Sequence, residues 1–198
     1  MKTVILASQN KHKLEEIKEI LKEFPLEIKS MDEAGLGDLE IIEDGKTFEE
    51  NSMKKAVEVM KKTNSIAVAD DSGLEVDAIG NRPGVYSARF SGEGATDKKN
   101  NEKLIDMLKD IPKEERTARF VSVISVAFPD GKKMHVRGEC KGLIGFEEKG
   151  SEGFGYDPLF IIEQYNKTFA ELGAEVKNKI SHRANALEKL QKELRELF

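Results

Sequence analysis

A chain of 198 residues with 38% hydrophobic and 35% charged positions is long enough for a single domain with a real core, folded as two lobes, and its mixed charges argue against disorder. The net charge of −5 and pI near 5.5 argue against a broad basic surface for nucleic acid, although a few lysines and helix N-termini suffice for a small phosphorylated ligand. The single Cys140 has no internal disulfide partner, the apolar run Val4-Ile5-Leu6-Ala7 is too short for a signal peptide, and no run of about 18 apolar residues occurs, so a cytoplasmic protein is expected.

Lys2–Ala7 reads as a buried strand. Ser8-Gln9-Asn10 then reads as a turn and helix cap before Leu14, Ile17, Leu21 and Phe24 at helical spacing. Thr47-Phe48-Glu49-Glu50 has the form of a capping box opening a helix that continues through Ala56, Val57 and Met60 to about Thr63. Ile66-Ala67-Val68-Ala69 predicts a strand that stops at Asp70-Asp71-Ser72-Gly73, with a second strand over Leu74–Ile79, so that two strands flank an acidic turn.

After a glycine-rich loop, Asp97 is placed to cap a helix carrying Leu104, Ile105 and Leu108 that ends before Pro112. Arg119–Phe128 and Lys132–Cys140, joined by Pro129-Asp130-Gly131, predict a β-hairpin. A last helix from near Ser181 sets Leu187, Leu190, Leu194 and Leu197 on one stripe. Helices and strands alternate and the hairpin is antiparallel, so the expected fold class is α/β with a long mixed central β-sheet and flanking helices, two lobes around an active-site cleft.

The strongest chemical signal is Asp70-Asp71-Ser72-Gly73 directly after an apolar strand, because carboxylates at a strand's end face the crevice where open α/β sheets bind ligands. One acid is positioned to hold Mg²⁺ or activate water. Read locally, the same four residues are equally well a plain turn. Glu43-Asp44 before Gly45 offers a second pair of acids for a metal, or merely a solvated loop.

Ser8-Gln9-Asn10-Lys11-His12-Lys13 combines a helix N-terminus with hydroxyl, amide and ammonium groups, which suits phosphate but also describes an ordinary exposed cap. In Gly153-Phe154-Gly155-Tyr156-Asp157-Pro158, two rings offer faces for a base and Asp157 offers acceptors for a ring N–H; a turn with core aromatics is the simpler alternative. Lys177 and Ser181-His182-Arg183 put donors at the entrance of the last helix, where Arg183 opposes the helix dipole and so needs another reason to be there.

Gly45-Lys46-Thr47 is not a phosphate-binding P-loop, since Glu40 occupies the place of its first glycine, and the three histidines and one cysteine lack zinc spacing.

Taken in order, Ser8–Lys13, Glu43–Asn51, Ala69–Leu74, Pro83–Arg89, Gly153–Pro158 and Ser181–Arg183 closely resemble the inosine/xanthosine triphosphate pyrophosphatase family over essentially the whole chain. The resemblance implies a homodimeric hydrolase that cleaves ITP, dITP and XTP to the monophosphate and pyrophosphate with Mg²⁺. It implies phosphate contacts from Ser8, Asn10 and Lys13, metal held by Glu43 and Asp71, and Asp71 as proton acceptor. Gln9, Lys11, His12, Ser72, Phe154, Gly155, Tyr156, Asp157, Lys177, His182 and Arg183 complete the implied substrate contacts. This chain has Ser8-Gln9-Asn10 where many members have Thr-Gly-Asn, and Tyr156 where some carry Trp.

Overall fold

The computed structural model of the protein describes residues 2–196, apart from the side chains of His12, Glu16 and Ile20. The expected substrate contact of His12 and the last leucine of the α-helical stripe, Leu197, therefore lie outside the described residues. In chain order the elements are β1 (Lys2–Leu6), α1 (Lys11–Leu21), β2 (Leu26–Ser30), α2 (Phe48–Thr63), β3 (Ile66–Val76), β4 (Arg82–Pro83) and α3 (Asp97–Met107). They continue with β5 (Thr117–Ala127), β6 (Lys133–Ile144), β7 (Phe160–Ile162), β8 (Lys167–Thr168), α4 (Phe169–Ile180) and α5 (His182–Arg195).

One sheet runs in the order β2-β1-β3-β5-β6-β7-β8, with β4 paired to β3. Strand β1 is parallel to β2 and β3, whereas β7 is antiparallel to β6 and β8, so the sheet is mixed as expected. The chain divides into two units. The first comprises Met1–Asp71, Ser122–Gly138 and Ala186–Phe198, the second Ser72–Val121 and Glu139–Asn185, and β3, β5 and β6 each contribute residues to both.

Period-two alternation builds the core of the first unit. Val4 and Leu6 pack with Ile17 and Leu21 of α1 and with Leu187, Leu190 and Leu194 of α5, while Ile5 and Ala7 pack with Ala56 and Val59 of α2. Strand β3 repeats the division, with Ile66 and Val68 on one side and Ala67 and Ala69 on the other. Helices cover both faces, which is why these strands read as unbroken apolar runs rather than alternating ones. The expected hairpin turn is present: Gly131, at φ 90°, donates its N–H to the Phe128 carbonyl at 3.0 Å, and Phe128 donates to the Lys132 carbonyl at 2.9 Å.

Helix starts follow their caps. Asn10 Oδ1 accepts the Lys13 N–H at 3.3 Å, and Thr47 Oγ1 accepts the Glu50 N–H at 3.1 Å. The Glu50 carboxylate turns back to the Lys46 N–H, at 2.6 Å, so the return bond of the capping box lands one residue earlier than the motif implies.

In the second unit, Leu74, Val76, Phe120, Ile144, Phe160 and Phe169 belong to one buried cluster. The cap of α3 is Thr96, which accepts the Lys99 N–H at 3.2 Å; Asp97 is instead the first helical residue, and its carboxylate accepts the Gly155 N–H at 2.8 Å. Helix α4 is absent from the sequence reading, and Lys177 lies in its last turn instead of at the entrance of α5. The acidic turn is also corrected: Asp70-Asp71-Ser72-Gly73 lie within β3, a single strand of 11 residues. The acids stay extended because cations meet them there, as the site shows.

Candidate active site

In the first unit, four segments converge on a cavity of about 530 Å³, a size suited to a small-molecule ligand. Ser8, Gln9, Asn10 and Lys13 come from the start of α1, Leu39 to Glu43 from the loop before α2, Lys55 from α2, and Asp70 from β3. Ser8 Oγ accepts the Asn10 N–H at 3.2 Å and Gln9 Nε2 donates to the Gly37 carbonyl at 3.2 Å, so both side chains shape the turn. Lys11 opens the helix on its exposed side.

The charges are interlocked. Lys13 Nζ lies 2.7 Å from Asp70 Oδ2, and Lys55 Nζ lies 3.2 Å from Glu43 Oε1. Burial pushes the Asp71 carboxyl up to about 6. Lys55 opposes that rise, the negative charge of Glu43 adds to it, and the Asn51 amide and Lys13 oppose it again. Asp44 turns away to Lys54, whose ammonium holds its carboxyl below the usual range.

Glu43 and Asp71 thus offer hard oxygen donors whose mutual repulsion a divalent cation relieves. Among the described residues no group of three or more His, Cys, Asp or Glu side chains gathers to hold a metal. Mg²⁺ does not require one, because it keeps several waters and takes further oxygens from substrate phosphate.

In the second unit, the loop 153–157 is closed on itself. Asp157, buried, accepts the Phe154 N–H at 3.0 Å and pairs with Lys177. Gly153 has φ 79°, and a Cβ there would lie 2.1 Å from Asp157 Oδ2, so this place admits only glycine. Gly155 is held at both ends, its N–H by Asp97 and its carbonyl by Asn101 Nδ2 at 3.1 Å.

The two rings of this loop part company. Phe154 is half exposed, with Lys177 Nζ 4.5 Å from its centroid, a cation–π distance. Tyr156 is buried and donates its hydroxyl to the Ser87 carbonyl at 2.7 Å, and burial raises its phenol above the ordinary range. Its ring packs in the core, which leaves Phe154 as the open face.

Ser181 caps α5 by accepting the Ala184 N–H at 3.2 Å; next to it His182 stacks on Phe120 with centroids 4.9 Å apart, and both His182 and Arg183 are buried. Ser72, directly after Asp71, is half-buried in β3.

The sequence pattern of the Ham1 family matches residues 4–193. The chain belongs to the Ham1 family. Among similar proteins, a dITP/XTP pyrophosphatase of Clostridium perfringens is 53% identical over 98% of both chains. One of Desulfotalea psychrophila is 51% identical over 96% of this chain and 84% of its own. Among solved structures, the Ham1 protein of Staphylococcus aureus superposes with a TM-score of 0.93 at 39% identity, covering both chains entirely.

Two residues of this candidate site, Asn51 and Lys55, are not singled out by the sequence pattern. Their signal is the helical spacing itself: four apart on α2, behind a capping box, they share one face. Asp70 was legible as an acid, but its partner Lys13 lies 57 positions away and no local pattern joins them.

Proposed function

We propose that the chain is a Mg²⁺-dependent nucleoside triphosphate pyrophosphatase that hydrolyses noncanonical purine nucleotides, ITP, dITP and XTP, to the monophosphate and pyrophosphate. The observation that carries this reading is the set of Glu43 and Asp71 beside Lys13 and Lys55, with the cavity that three of these four line. The similarity to dITP/XTP pyrophosphatases over nearly the whole chain supports the substrate class.

Bound by Glu43 and Asp71, Mg²⁺ would supply Lewis-acid charge for the phosphate oxygens. The chain's own groups do the rest. The N-terminus of α1, with Ser8, Asn10 and Lys13, holds phosphate oxygens, and Asp70 keeps the Lys13 ammonium in place. Asp71, with its raised basicity, accepts a proton from water as that water attacks the α-phosphorus in line. The bond from the α-phosphorus to the bridging oxygen breaks, and pyrophosphate leaves with the bond's electron pair while Lys13 and Lys55 offset its charge. No covalent enzyme intermediate is needed.

The second unit's residues are assigned to the nucleoside. Phe154 offers its open face to the base, and Lys177 holds both that ring and Asp157. Hypoxanthine and xanthine present an O6 acceptor and an N1–H donor, and adenine reverses both. Donors at His182 and Arg183 facing O6, with Asp157 as acceptor, leave adenine mispaired, and buried mispairing supports roughly 10⁴-fold rejection. The protein is read as a cytoplasmic homodimer, a state that rests on the family resemblance; among the described residues no helix is long and apolar enough to cross a membrane.

Incubation with ITP, XTP, ATP and GTP, each with Mg²⁺ and with EDTA, tests the reading. Metal-dependent IMP and XMP plus pyrophosphate, with ATP and GTP nearly untouched, is the expected outcome. Nucleoside diphosphate and orthophosphate would overturn the bond assigned, and equal turnover of ATP would overturn the specificity.

A further inference from the structure

Asn51 is wholly buried in the first turns of α2, where a buried polar side chain needs a reason. Its Oδ1 accepts the Gly45 N–H at 2.8 Å, which fixes which end of the amide faces which way. Gly45 lies two residues after Glu43, so this bond pins the loop that carries Glu43 to the helix. The opposite end, Nδ2, is buried and meets no hydrogen-bond partner in ordinary geometry among the described residues. One turn further along the same face, Lys55 meets Glu43 at 3.2 Å.

We infer that Asn51 is a positioning residue of the metal site, a buried carboxamide that ties the loop carrying Glu43 to α2 and so holds Glu43 in place before any cation arrives. The inference rests on the proposed metal-dependent function. Its physical basis is that two acids from distant segments repel each other, so that an unsupported pair drifts apart. Anchoring the loop of one acid to a helix through a buried hydrogen bond opposes that drift. Gly45 fits the same design, since a Cβ there would meet Asn51 Oδ1 at 2.6 Å and Glu50 Cβ at 2.9 Å. Any larger residue displaces the loop from the amide.

The test uses Asn51→Leu, of similar volume and without either hydrogen-bonding group, and Gly45→Ala, which leaves both Asn51 and Asp71 intact. Binding of Mn²⁺ to the substrate-free protein is followed by electron paramagnetic resonance, alongside kcat and KM for XTP and the melting temperature. Both variants are expected to bind Mn²⁺ about tenfold more weakly or worse, in the range seen when groups supporting metal ligands are removed. They should also lose kcat more than KM rises. Unchanged Mn²⁺ affinity and kcat in folded variants, with only the melting temperature lowered, would overturn the inference and leave Asn51 a packing residue. If Asn51→Leu does not fold, Gly45→Ala decides by the same measurements. Failure of the wild-type protein to bind Mn²⁺ or to turn over XTP would instead sink the proposed function, so the two failures are distinguishable.

Discussion

At the scale of single residues, Asp71 carries the tension between stability and function. Its folded-state carboxyl, raised to about 6, holds a proton that the unfolded chain has already released above about pH 4. The metal-free protein therefore loses stability as pH rises from about 4 through 6, by up to about 3 kcal/mol for the two-unit shift. Asp71→Asn removes this cost together with the proton acceptor. It should abolish turnover yet melt above the wild type at pH 8 without metal, with the gap closing below pH 4. Calorimetry across pH checks this, and retained activity or a lower melting point at pH 8 would contradict it. Phe154 makes the complementary case, since its half-exposed ring covers little core. Phe154→Ala should leave the melting point nearly unchanged and raise KM for XTP about tenfold or more, the scale of one lost base stack; an unchanged KM would refute the assignment.

At the scale of elements, α4 links capping to the site. Thr168 Oγ1 accepts the Glu171 N–H at 3.2 Å and donates to the Lys149 carbonyl at 2.7 Å, while the same helix carries Lys177 to Asp157 and Phe154. Thr168→Ala should cost about 1–2 kcal/mol in urea denaturation, and KM should rise as Lys177 loses its anchor; an unchanged denaturation midpoint would contradict the capping role. The sequence contained this box in Thr168-Phe169-Ala170-Glu171. What hides the helix is Gly173, whose φ of 76° and ψ of 175° break it into two pieces too short to show a stripe. By contrast α2 and α5 were legible, because each keeps an unbroken apolar face over 14 or more residues. The acidic turn misled for a physical reason: carboxylates leave a strand unless cations receive them, and Lys13, which receives Asp70, belongs to a distant helix. The burial of Tyr156 was not legible either, since the Ser87 carbonyl that accepts its hydroxyl lies far along the chain from the glycine-rich loop.

At the scale of the molecule, three strands shared by two units place an acid and lysine set in one and an aromatic, buried histidine and arginine set in the other. With a net charge of −5, attraction to phosphate is local rather than a property of the whole surface. Water attack at the α-phosphorus is tested by running the hydrolysis of XTP with Mg²⁺ in H₂¹⁸O and weighing both products. The label should appear in XMP, with unlabelled pyrophosphate. Label in pyrophosphate, or release of labelled orthophosphate with a nucleoside diphosphate, would contradict it.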